Sequence, residues 1–186
     1  AALTGGADVI QLRDKKASSR KFYEVGAEIR KITRERGAIF IVNDRVDIAL
    51  TTDADGVHVG QDDLPAVETR KLIGSDKILG VSVTSPQEAR QAERDGADYL
   101  GVGPVYEARS TKSDAGEPMG LSLIRDARKH CRIPIVGIGG INITNAVNVL
   151  KAGADGVAII SAIVSADDIE AATRNLKAAI LAERTA

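Results

Sequence analysis

Gly96-Ala97-Asp98-Tyr99-Leu100-Gly101-Val102-Gly103-Pro104 is the stretch from which the fold can be read. Gly96 closes a helical pattern in a left-handed turn, Ala97-Asp98 re-enters the sheet, and Tyr99–Val102 reads as a short buried strand. That strand ends on Gly103-Pro104 and runs through a polar turn into Ser110-Thr111-Lys112. Glycine lets a ligand approach the backbone closely, and two hydroxyls with an ammonium suit phosphate oxygens. The unit is therefore helix, tight turn, strand and anion-gripping loop.

The same unit recurs along the chain. Gly6-Ala7-Asp8, Ala54-Asp55-Gly56 and Gly153-Ala154-Asp155 each precede another apolar run. The runs Asp8–Leu12, Ala38–Val42, Gly56–Val59, Ile78–Val81, Tyr99–Val102, Ile133–Ile138 and Val157–Ile160 are short, rich in Val and Ile, and lack the alternation of a half-wet sheet. Both faces should be covered, which predicts parallel strands. Helical patterns fill the gaps: Phe22, Val25, Ile29 and Ile32 share one face between Ser18 or Ser19 and Gly37. Ser85 and Glu88 predict a capping box with Pro86 at the first helical position, and Pro65 to Gly74 and Thr144 to Gly153 follow suit.

Every strand end carries polar or glycine residues: Gln11 and Arg13, Asn43 and Asp44, Gln61 and Asp63, Ser82, Gly139 and Gly140, Ser161. Chemistry gathered at one end of many parallel strands predicts an α/β chain of the (β/α)8 TIM-barrel class, folded as a single domain over 1–186. A doubly wound open sheet would instead concentrate its site at one crevice. Seven strands are visible where eight are required, and Ala1–Gly6 reads as a last helical turn. The expectation is that the first strand is missing from the front, so that Gly139-Gly140 and Ser161 close strands seven and eight, where phosphate usually binds.

Composition sets the frame. A chain of 186 residues with 44% apolar residues can bury one sizeable core. Lys and Arg number 25 against 26 Asp and Glu, so no global charge recommends nucleic acid or an anionic membrane, and any anion site must be local. A single cysteine, Cys131, excludes an internal disulfide framework and fits a reducing cytoplasm. No apolar run reaches the ~18 residues of a transmembrane helix.

Gln11, Arg13 and Lys15 alternate, so at a strand end they can bring an amide, a guanidinium and an ammonium to one anionic ligand. Asp44 and Asp63 stand at neighbouring strand tips and would repel unless a cation sat between them; magnesium is held in this way by one or two carboxylates plus substrate phosphates. An acid just before Leu64-Pro65 could equally be a helix N-cap. Ser82 can donate to a ligand or cap a turn. Gly139-Gly140 lets backbone amides face an anion, and Ser161 begins a short helical stretch, which together predict a second phosphate position. His58, His130 and Cys131 read as structural, since no nucleophile or metal-ligand spacing accompanies them. Gly137-Ile138-Gly139-Gly140 does not satisfy GxGxxG, and no redox cofactor is indicated.

Taken in order, Gln11-Leu12-Arg13-Asp14-Lys15, Asn43-Asp44-Arg45, Gly56–Asp63, Gly80-Val81-Ser82, Gly101-Val102-Gly103-Pro104, Gly137–Ile141 and Gly153–Val157 resemble the thiamine phosphate synthase family across essentially the whole chain. The resemblance implies coupling of hydroxymethylpyrimidine diphosphate to hydroxyethylthiazole phosphate, with release of pyrophosphate. It implies that Gln11, Arg13 and Lys15 hold the pyrimidine diphosphate, Asn43 the pyrimidine, and Asp44 and Asp63 a Mg2+ ion. Ser82 and Lys112 would contact the diphosphate, with Arg13, Lys112 and Ser82 serving catalysis, and Gly140, Ile160 and Ser161 would seat the thiazole phosphate. One departure stands out. The family carries two threonines around a single residue just before the lysine, whereas this chain reads Arg109-Ser110-Thr111-Lys112, so the first hydroxyl falls to Ser110 or its role passes to Arg109. Pro104–Gly120 could form a lid. The competing readings are a thiazole tautomerase of the same superfamily, which needs no diphosphate grip, and a non-catalytic phosphate-binding barrel.

Overall fold

The structure is a computed structural model that describes residues 1–107 and 117–185. Seven parallel strands lie side by side in sequence order: β1 Val9–Leu12, β2 Ile39–Asn43, β3 Gly56–Val59, β4 Ile78–Val83, β5 Tyr99–Val102, β6 Ile135–Ile138 and β7 Gly156–Ala158. Helices fill the crossovers: α1 Ser19–Arg36, α2 Val46–Thr51, α3 Ala66–Ile73, α4 Pro86–Arg94, α5 Gly120–His130, α6 Ala146–Lys151 and α7 Ser161–Val164, with α8 Ile169–Arg184 last. Parallel strands cannot be joined by hairpins, so each connection must cross over, and a helix is the usual means. The result is an α/β half-barrel. Among the described residues no ladder joins β7 to β1.

Strand alternation divides the sheet into two unlike faces. Phe40, Val42, Val57, Val59, Leu79, Val81, Val83, Leu100 and Val102 turn toward the helices and form one core with Ile48, Ala89, Ile124 and Val149. Ile124 is fully buried, so truncation to alanine would cost about 2–5 kcal/mol. The opposite face carries Gln11, Asn43, His58, Ser82 and Tyr99 with Gly80 and Gly101 between them. Complete coverage of both faces, expected from the sequence, holds for β3 and nearly so for β2, β4 and β5. It fails for β1, β6 and β7, which are partly exposed.

Local punctuation follows the sequence closely, with differences at single positions. Ser18 caps α1 by accepting from the Lys21 amide, and Gly37 ends it at φ 63°. Ser85 caps α4 through the Glu88 amide, but the Glu88 carboxylate reaches past Ser85 to accept from the backbone and hydroxyl of Thr84. The reciprocal half of the capping box is thus displaced by one residue. At the other end of the chain, β7 stops at Ala158, so Ile160 is the N-cap of α7 and not part of a strand.

The recurring aspartates have a specific task at the strand entrances. Asp55 accepts from the Phe40 amide (2.7 Å) and Arg30 (2.8 Å), and Asp98 from the Leu79 amide (2.7 Å) and Arg70 (2.5 Å). Asp155 repeats the pattern with the Ile135 amide (2.8 Å) and Arg128. Arg70 and Arg128 also donate to the carbonyls of Gly96 and Gly153, so each guanidinium ties a helix to the loop that follows the next one. Asp8 is held by Lys177 of α8, which brings the first and last parts of the chain together.

Candidate active site

Because all seven strands run the same way, their C-terminal ends share one rim, opposite the aspartate clasps. Gln11 lies within β1, with Arg13 and Lys15 just beyond it. Asn43 is the last residue of β2, Asp44 follows it, and Asp63 lies in the turn after β3. Gly140 follows β6, and Ile160 and Ser161 open α7, a helix of four residues. Ser82 differs from expectation: it is the penultimate residue of β4, inside the strand and not beyond its end. Ser110, Thr111 and Lys112 lie outside the described residues, as does most of the predicted lid.

The centre of the rim is acidic and basic at once. Asp44 has φ 64°, a left-handed conformation that residues other than glycine seldom adopt. Burial raises its pKa to about 6, and the hydrogen bond and like charge of Asp63 push the same way, while Lys15 and Arg13 pull it down. Lys15 Nζ stands 3.9 Å from the Asp44 carboxylate. Asp63 does not cap α3, whose N-cap is Pro65; its carboxylate accepts from the Gly60 amide at 2.7 Å, which turns it inward toward Asp44. The N-cap alternative left open by the sequence is thereby removed. Two facing carboxylates in a half-buried site, flanked by a guanidinium and an ammonium, can take up a divalent cation on one side and an anion on the other.

The rim is continuous with a polar chain inside the sheet. His58 is 8% exposed, its Nδ1 lies 2.8 Å from the Tyr99 hydroxyl, and its Nε2 lies 2.8 Å from Ser82 Oγ. Gln61 Nε2 donates to the Ser82 carbonyl at 2.7 Å. The sequence reads His58 as structural and does not reveal the partners that hold its ring, which lie 24 and 41 residues away. His130 is exposed at the end of α5, and Cys131 is buried behind it, where burial pushes its thiol up and away from nucleophilic use.

Farther round, the β5 and β6 ends are fused. Val105 donates to Ile138 and Tyr106 to Gly139, while the amides of Met119 and Gly120 return to Pro104 and Val105. A Cβ on Gly140 would stand 2.6 Å from the Glu107 carbonyl, so only glycine, here at φ 61°, fits between the two loops.

Comparison with known proteins agrees with this geometry. A family model described as thiamine monophosphate synthase matches residues 1–163. The thiamine-phosphate synthase of Moorella thermoacetica is 56% identical over 183 residues, covering 98% of this chain and 87% of the relative. That of Chloroflexus aurantiacus is 57% identical over 180 residues, covering 97% and 82%. The solved thiamine phosphate pyrophosphorylase of Pyrococcus furiosus superposes with a TM-score of 0.90 at 46% identity, covering 98% of this chain and 87% of that one. By sequence and by fold alike, the chain belongs to the thiamine monophosphate synthase family.

Proposed function

We propose that this rim joins hydroxymethylpyrimidine diphosphate to hydroxyethylthiazole phosphate, giving thiamine phosphate and pyrophosphate, on a complete (β/α)8 barrel of which seven strands are seen. The observation that carries the reading is the meeting of Arg13 and Lys15 with the Asp44–Asp63 pair at one set of strand ends, in a chain of this family. The barrel is supported by the sequential order of seven parallel strands.

The residues fit a magnesium ion. Asp44 and Asp63 lie close enough to share a hydrogen bond, an approach that two carboxyl groups make only when one of them keeps a proton or a cation takes that proton's place between them. A magnesium ion held by these two carboxylates would complete its shell with water and substrate phosphate. When bound, magnesium would offset the charge of the diphosphate.

The chain's own residues would do the rest. Gln11, Arg13 and Lys15 hold the pyrimidine diphosphate, Asn43 orients the ring, and Ser82 and Lys112 donate to the diphosphate. The methylene C–O bond breaks with its electron pair leaving on the diphosphate, and the thiazole nitrogen then closes the C–N bond onto the resonance-stabilised cation. No proton moves, so no general base is needed. Donors aimed at the leaving oxygens act where charge develops, which makes them stronger in the transition state than before it. Gly140, Ile160 and Ser161, with Ser110 or Thr111, seat the thiazole phosphate.

The test supplies both substrates and magnesium and measures pyrophosphate and thiamine phosphate, which should appear in equal amounts. Thiazole phosphate binding without either product would overturn the coupling reaction in favour of a tautomerase or a non-catalytic binder.

A further inference from the structure

We propose that His58 is a positioning residue for this reaction: a chain from Gln11 through Tyr99 and His58 fixes the Ser82 hydroxyl as a hydrogen-bond donor toward the leaving diphosphate. The inference rests on the reading above and concerns a residue to which that mechanism gives no role.

The ring sits in a slot made for it. His58 pairs with Gly80 across β3 and β4, and a Cβ on Gly80 would stand 2.4 Å from His58 Nδ1 and 2.2 Å from the Tyr99 ring. A Cβ on Gly101 would stand 2.8 Å from His58 Cε1. Two neighbouring strands thus present bare backbone where the imidazole lies, with the Tyr99 ring centroid 5.4 Å away. Both ring nitrogens meet hydroxyls at 2.8 Å, and the outcome depends on which nitrogen holds the single proton of a neutral imidazole.

Gln11 and Tyr99 settle that choice. Burial pushes the Tyr99 phenol up, so it keeps its proton, and the Gln11 amide donates to its oxygen. A buried O–H that found no acceptor would cost about 1–3 kcal/mol, so the phenol proton is spent on His58 Nδ1. Nε2 then carries the imidazole proton and donates to Ser82 Oγ. The serine proton is left for another acceptor, and at this rim that acceptor is a diphosphate oxygen. In the opposite tautomer Ser82 would donate into the ring and turn lone pairs toward the anion. The same histidine therefore decides whether Ser82 attracts or repels the leaving group.

The experiment combines a mutant cycle with the 15N shifts of the His58 ring in the substrate-free protein. Tyr99→Phe removes one oxygen and keeps the ring, and His58→Asn removes the relay. Each should lower kcat about five- to tenfold, the effect of about one hydrogen bond, with KM for the thiazole substrate within twofold. In a Ser82→Ala background neither change should lower kcat further. The 15N shifts should show a protonated Nε2 in the wild type. Losses that multiply with that of Ser82→Ala, or a proton on Nδ1 in a protein that turns over, would overturn the relay. A protonated Nε2 in a chain without turnover supports the relay's geometry and counts instead against the coupling reaction.

Discussion

Replacing Asp44 with asparagine should make the cation-free protein more stable and a worse enzyme. In the folded chain the Asp44 carboxyl holds its proton up to about pH 6, against an ordinary value of 3.8, because it is buried beside Asp63. Its pKa is raised, so the folded state keeps a proton that the unfolded state has already lost. Stability is then full below about pH 4, falls between about pH 4 and 6, and stays reduced above that. At about 1.4 kcal/mol for each tenfold change, the ionised carboxylate costs the apo fold ~3 kcal/mol at neutral pH. Asparagine tolerates the left-handed backbone at this position and carries no charge, so the substitution removes the penalty without adding strain. The assay is urea unfolding followed by circular dichroism, in EDTA, at pH 4, 5, 6 and 7. The variant's advantage should grow from near zero at pH 4 to ~3 kcal/mol at pH 7, or roughly 6–12 °C in melting temperature. Saturating magnesium should restore the wild type and leave the variant little changed, while the variant's turnover loses its magnesium dependence. Parallel stability curves for the two proteins would refute the claim that Asp44 and Asp63 confront one another.

Two further outcomes test other parts of the molecule. Asp98→Ala strips the acceptor from the buried Leu79 amide and from Arg70, and should cost about 1–3 kcal/mol in thermal or urea unfolding with kcat within twofold; an unchanged melting temperature would show the clasp to be idle. Lys112→Ala should slow coupling about a hundredfold with the circular dichroism spectrum intact, the usual loss for one donor to a developing charge, and unaltered turnover would remove the lysine from the mechanism.

The sheet was legible because its signal is local. Short Val- and Ile-rich runs, glycine at helix ends and Ser18 or Ser85 at helix starts each depend on a few neighbouring residues, and the strands fall within two or three residues of where the sequence puts them. What escaped depends on partners far away in the chain. Ala54-Asp55, Ala97-Asp98 and Ala154-Asp155 look like ordinary turn chemistry until Arg30, Arg70 and Arg128 are seen folding back on them from 25, 28 and 27 residues earlier. His58 is equally mute in sequence, since Tyr99 and Ser82 reach it only through strand register. Asp63 was ambiguous for a different reason: an acid before a helix is a common cap, and only its bond to Gly60 shows which way it turns. The end of β7 was overextended because Ile159 and Ile160 are apolar, yet the backbone there is already entering α7.

The arginine clasps put the fastenings of this molecule at one pole and its reagents at the other. Damage to a fastening should therefore be felt as melting with the chemistry intact, whereas alteration of a reagent changes the chemistry and, where it relieves a buried charge as at Asp44, firms the fold. A scaffold wired in that manner can exchange the loops of its working pole for others without first having to be rebuilt.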